Sequence, residues 1–136
     1  MRVLKKLGRE KDNMSREIKF RVWDIILKKW ANPADFIGVN SRGEVICGNE
    51  KSNRLTGSVL QQFTGLKDQN GKDIYEGDIL NLNLRFPENG VVSFNNGGFI
   101  YTGKNMKGTY LGIVISGFGE KLEVVGNIFE NPELLA

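Results

Sequence analysis

Phe63 to Leu80 read FTGLKDQNGKDIYEGDIL, and the reading of this stretch decides the fold. At its centre Asn70-Gly71 is a strong turn dipeptide, because both central residues of a type I′ hairpin turn need φ > 0. On its N-terminal side Val59 to Phe63 reads as a strand. On the other side one extended segment is expected from Ile74 to Leu84, where Ile79 and two of the following leucines alternate with Asp78, Asn81 and Asn83. Short strands punctuated by polar turn residues recur along the rest of the chain.

Upstream, Ile18, Phe20 and Val22 alternate with Lys19, Arg21 and Trp23, the pattern of a half-buried strand. Ile25 to Trp30 continues apolar with a turn expected at Lys28-Lys29, and Asn32-Pro33 breaks it. Phe36 to Val39 and Glu44 to Cys47 flank Asn40-Ser41-Arg42-Gly43 as a hairpin, with Glu50 to Thr56 as loop. Downstream, Phe86 to Gly90 closes a strand, and Val91 to Phe94 and Phe99 to Tyr101 flank Asn95-Asn96-Gly97-Gly98. Thr109 to Ser116 and Lys121 to Phe129 read as two more strands. Asn131, Pro132 and Glu133 suit a helix cap, first position and positive dipole end, so a short C-terminal helical turn is expected, with Leu134 and Leu135 folded back on the body. Seven to nine short strands with regular turn signals predict a mainly β chain, a small antiparallel barrel or sandwich.

Composition narrows the chemistry. The chain has 136 residues, no His and one Cys, Cys47. That excludes Ser-His and Cys-His nucleophile pairs, His-ligated metal, an intrachain disulfide and a Cys-rich zinc site. Cys47 reads as a small buried apolar residue. Residues 1–13 carry the whole net charge of +3, through Arg2, Lys5, Lys6, Arg9 and Lys11 against Glu10 and Asp12. This segment reads as a flexible extension, or as a basic arm on phosphates, with residues 14–136 as one domain that folds from Met14 onward. No apolar run approaches the roughly 20 residues of a membrane span, so a cytoplasmic protein without a membrane partner is expected.

Three groups of residues invite a functional reading. The loop Thr64 to Lys72 is a candidate site for a small anionic ligand, with Lys67, Asp68, Asn70, Lys72 and Tyr75 around it. It lacks the G-x-x-x-x-G-K-[ST] spacing of a phosphate loop, and a plain turn explains it as well. Lys19, Arg21 and Trp23 share a strand face on which nucleic-acid bases stack in other small barrels, or else Trp23 is simply covered by long basic side chains. Glu76 and Asp78 lie two apart on an extended segment, the spacing of a weak metal or acid/base pair, although Gly-Asp before an apolar residue also serves as a strand entry. With no third ligand, neither catalytic residues nor a cofactor are assigned.

Four motifs, REIKFRVWD (Arg16 to Asp24), FTGLKDQNGKDIYEGDIL, GVVSFNNGGF (Gly90 to Phe99) and EVVGNIFENPELL (Glu123 to Leu135), stand in an order that resembles the YopX protein family of bacterial phages and prophages. The resemblance implies a mainly β fold with an SH3-type barrel, phage origin and no assigned activity. The sequence departs from the family in its first thirteen residues and at Val22, where a small residue often precedes the Trp. Function is then expected to be non-enzymatic binding of a host protein or of a small anion such as a nucleotide. Single-stranded nucleic-acid binding and a metal-dependent hydrolase or nuclease are the alternatives. Exposed strand edges predict a homo-oligomer.

Overall fold

The computed structural model describes residues 16–32, 38–46, 58–83, 88–118 and 121–136. The expectations placed on Met1 to Asn13, Phe36, Ile37, Cys47 and residues 50–56 lie outside the described residues. The chain is mainly β, with a curled half-barrel sheet and one short helix.

One sheet contains β1 (Phe20–Asp24), β2 (Lys29–Trp30), β5 (Val59–Lys67) and β6 (Asp73–Tyr75), in the order β2-β1-β5-β6. A second contains β7 (Asp78–Leu82), β8 (Glu88–Asn95), β9 (Gly98–Gly103), β10 (Thr109–Tyr110) and β11 (Leu122–Asn127), in the order β10-β9-β8-β7-β11. A separate hairpin pairs β3 (Gly38–Val39) with β4 (Val45–Ile46). Every pairing is antiparallel. The core between the second sheet and its helix is Ile74, Leu80, Leu82, Val92, Tyr101, Leu111, Val114, Leu122 and Val124. Each such large side chain contributes roughly 1.5–3 kcal/mol on leaving water.

The extended segment expected from Ile74 to Leu84 is broken. Glu76 and Gly77 form a corner between β6 and β7, and Gly77 sits at φ 83°. Its backbone bridges the two sheets. The Glu76 amide donates to Gln62 O at 3.0 Å, the Gly77 amide donates to Val92 O at 2.7 Å, and Gly77 O accepts from the Ile128 amide at 2.9 Å. The left-handed φ favours glycine here, and a Cβ on Gly77 would displace the Gln61 carboxamide that bonds Arg21.

The turn chemistry also differs from expectation. Asn70-Gly71 is not a type I′ turn, since only Gly71 has positive φ. Asp68 is the reason: it is 8% exposed, and its Oδ1 accepts from the amides of Asn70 and Lys72 at 2.8 and 2.9 Å. Its carbonyl takes the Gly71 amide and its amide donates to Lys72 O, giving a three-residue connection with Gly71 in the left-handed position. The type I′ geometry appears instead at Asn96-Gly97, with φ 49° and 80° between the paired Asn95 and Gly98. Lys28-Lys29 is not a turn pair either: the turn covers residues 25–28, Lys28 is left-handed at φ 53°, and Lys29 already belongs to β2.

Thr109 to Ser116 is not a strand. After β10 the chain enters helix α1 (Leu111–Phe118). Leu111, Val114 and Ile115 stand at i, i+3 and i+4 and turn inward, while Gly112, Ile113, Ser116 and Gly117 are exposed. Its apolar spacing is helical where strand alternation was expected. At the C-terminus Pro132–Leu135 form the expected helical turn as a 3-10 helix, but Asn131 makes no capping bond. Asn131 Oδ1 instead accepts from the Asn127 amide at 3.3 Å. Leu135 stays 42% exposed, so it does not fold back.

Candidate functional site

Strand β1 carries Arg21 and Trp23 to the place where β2, the Glu76-Gly77 corner and the segment after β11 converge. Trp23 faces Trp30 through the β1–β2 pairing, in which the two tryptophans are direct partners. Their rings meet edge to face at 5.0 Å, Trp23 stacks on Phe129 at 5.0 Å and 4°, and Trp30 stands edge-on to Phe129 at 6.0 Å. Such offset and T-shaped contacts are the geometries the ring quadrupoles favour. The Trp30 indole donates to Glu130 Oε1 at 2.7 Å, and Asn127 Nδ2 donates to the same oxygen at 2.8 Å. These two bonds hold the Glu130 carboxyl below the usual carboxylate range.

Beside these rings lies an open recess of about 620 Å³ lined by Trp23, Ile25, Lys28, Phe129 and Glu130. Its rim is the turn that joins β1 to β2. Asp24, 2% exposed, fixes that turn: its Oδ1 accepts from the amides of Ile26 and Leu27, both at 2.9 Å. The consequence is an apolar tip on an ordered backbone, with Ile25, Ile26 and Leu27 exposed by 48%, 66% and 44%. Scattered exposed apolar residues need no explanation, but three consecutive ones on a locked turn beside an aromatic recess form a patch.

The charged candidates are turned inward on one another. Arg21 Nη2 donates to Asp78 Oδ1 at 2.7 Å, and Arg21 Nε donates to Gln61 Oε1 at 2.9 Å. The guanidinium lies between the Trp30 and Tyr75 rings, 4.2 and 4.7 Å from their centroids. Asp78 Oδ2 accepts from the Tyr75 amide at 2.8 Å. Burial pushes the Asp78 carboxyl up and the Arg21 charge opposes it. Lys19 and Lys67 both donate to Asp73 at 2.6 Å, which lowers the Asp73 carboxyl and raises the Lys19 ammonium. Burial raises the Tyr75 phenol.

The residues singled out in the sequence therefore separate. Of the anionic-ligand set, Asp68 holds its own turn and also accepts from the Val124 amide at 3.0 Å, Lys67 is paired with Asp73, and Tyr75 covers Arg21. Asn70 and Lys72 remain exposed on the turn. Of the base-stacking set, Lys19 and Arg21 are ion-paired, and Trp23 is only 8% exposed with Phe129 stacked on it. Glu76 and Asp78 do not share an extended face, because the Gly77 corner separates them. Glu76 Oε1 accepts from the Gln62 amide at 2.8 Å. Among the described residues no group of three or more His, Cys, Asp or Glu could hold a metal ion. No helix of the described residues is long and apolar enough to cross a membrane.

A profile of the YopX protein family matches residues 19–136, which takes in every residue of the recess and of the Arg21–Asp78 pair. The chain belongs to the YopX family. Among solved structures it is similar to protein EF1440 from Enterococcus faecalis, at 27% identity and a TM-score of 0.61, covering 90% of this chain and 100% of that one. It also shares its fold with protein yopX from Bacillus subtilis, at 23% identity and a TM-score of 0.53, over 86% of this chain and 97% of that one. No curated protein matches. These YopX structures carry the fold alone, so the site must be read from its own chemistry.

Trp30, Phe129, Glu130, Asn127 and Gln61 were not singled out in the sequence. Trp30 and Glu130 are a hundred positions apart, and only the pairing of β1 with β2 and the turn after β11 brings them together. The one signal available was that Trp23 and Trp30, with a polar tail at Lys28-Lys29, fit a tight hairpin whose two tryptophans face each other.

Proposed function

We propose that this chain is a non-enzymatic binding module of phage or prophage origin that works in the bacterial cytoplasm by gripping a host protein. The observation that carries this reading is the locked turn of Ile25, Ile26 and Leu27, held open to solvent by Asp24 beside the Trp23–Phe129 recess. A pre-ordered backbone that presents apolar side chains loses little conformational entropy on docking, which favours affinity. The ionisable groups nearby support grip over chemistry. Arg21, Asp78, Lys19, Asp73 and Glu76 are committed to one another or to backbone amides, so they serve the scaffold.

A host protein is favoured over a small anion for the same reason. Lys67 spends its charge on Asp73, and Asp68 points its carboxylate into the loop where an anion would sit. The test is capture of host proteins on the immobilised full chain, compared with an Ile26→Asp variant of equal melting temperature. Capture that disappears in the variant supports the reading. Capture that is identical for both, or turnover of a nucleotide or nucleic acid by the purified protein with a divalent ion, contradicts it.

A further inference from the structure

The recess and the tip lie side by side, and their rim carries one charge of each sign. Lys28 and Glu130 both line the recess. Among the described residues Lys28 makes no ion pair, and Glu130 accepts from the neutral donors Trp30 and Asn127 through Oε1 alone, leaving Oε2 open. A surface that holds a protrusion, a hollow, a cation and an anion in one patch carries every element that a self-complementary contact about a two-fold axis needs. In such an isologous contact each residue pair occurs twice.

We infer that the first partner of this surface is a second copy of the chain, docked about a two-fold axis beside the recess. Ile26 of each copy enters the recess of the other, and Lys28 of each faces the partner's Glu130. This rests on the reading that the recess and turn grip a protein surface, and it names the occupant in the absence of a host target. The rim charges set the register. The apolar tip supplies the affinity, since rim ion pairs exposed to water contribute little.

The test is sedimentation velocity of the full chain over a range of concentrations, with circular dichroism confirming that each variant is folded. The wild type is expected to dimerise and Ile26→Asp to remain monomeric. Lys28→Glu, on the exposed tip, and Glu130→Lys each replace two weak attractions by two like-charge contacts across the two-fold axis, and so weaken dimerisation by about tenfold, corresponding to ~1.4 kcal/mol. The double swap Lys28→Glu with Glu130→Lys restores it. If Glu130→Lys proves unfolded, Lys28→Glu and Ile26→Asp alone decide. A wild type that is monomeric throughout overturns the self-pairing, and so does a dimer indifferent to Ile26→Asp and Lys28→Glu or a swap that fails to restore. A monomeric wild type whose host capture still depends on Ile26 leaves the binding reading standing, whereas a loss of both removes the two together.

Discussion

Arg21 Nη2 donates to Asp78 Oδ1 at 2.7 Å across a separation of 57 residues, with the two side chains only 22% and 3% exposed. This pair fastens β1 to the Gly77 corner. It takes the two sequence positions that most invited catalytic and nucleic-acid readings and commits them to each other.

Removing one partner of a pair this buried strands the other. Asp78→Ala is expected to lower the unfolding free energy by about 3 kcal/mol. The Tyr75 amide loses its acceptor as well. Urea unfolding followed by tryptophan fluorescence measures the loss.

Arg21→Met gives a different signature. Burial already raises the Asp78 carboxyl, and without the guanidinium only the Tyr75 amide bond and the Lys72 charge are left to oppose it. A folded carboxyl that titrates above its unfolded value costs stability as pH rises through the folded value, and costs nothing below the unfolded one. The deficit of Arg21→Met relative to wild type should therefore shrink between pH 7 and about pH 4, the ordinary carboxylate value. Urea midpoints at the two pH values check this.

Asp73 has the opposite sign. Its bonds from Lys19 and Lys67 lower it, so its contribution is complete above the ordinary carboxylate value of about 4 and fades as pH falls through the lowered one. Asp73→Asn is expected to cost about 1 kcal/mol or less at neutral pH, as for a surface pair, and to flatten the acid limb of the stability curve. Urea midpoints from pH 6 to pH 3 report it.

Gly77→Ala is expected to be among the most damaging single changes in the fold. It places a Cβ at φ 83° and into the Gln61 carboxamide, at a corner whose backbone bonds join two sheets. A loss of about 3 kcal/mol or more is expected, or failure to fold. Gly65→Ala is the control, because its φ of 85° opens on empty space and its cost should stay near 1 kcal/mol. Expression level and thermal unfolding of the two variants separate the outcomes.

The sequence was readable where one residue's local chemistry dominates. The strand at Phe20–Asp24 and the hairpins after Val39 and Phe94 were legible because strand-forming and turn residues act within a few positions, but the alternation did not hold: Ile18 is exposed and lies outside β1, while Val22, Trp23 and Asp24 are all buried. The readings failed where a distant contact or a side-chain bond intervened. Asp68 overrode the conformational preference of Asn70-Gly71 by taking two amides into its own carboxylate. Leu111 to Phe118 offered an apolar run that fits strand or helix, and its packing on the core decided for helix. The aromatic recess was hidden for the same reason, since Trp23, Trp30 and Phe129 become neighbours only through the β1–β2 pairing and the turn after β11.

The central claim is that this surface draws its affinity from apolar contact, with Arg21, Asp78, Lys19 and Asp73 committed to the scaffold and the rim charges of Lys28 and Glu130 setting register alone. The direct measurement is the salt dependence of the complex with a host protein captured through Ile26, taken from about 50 mM to 1 M salt, a range over which the Debye length falls from about 14 to 3 Å. The account predicts an affinity that changes by no more than a few-fold across the range. An affinity that collapses by orders of magnitude, as phosphate-neutralising or ion-paired interfaces do, would contradict it.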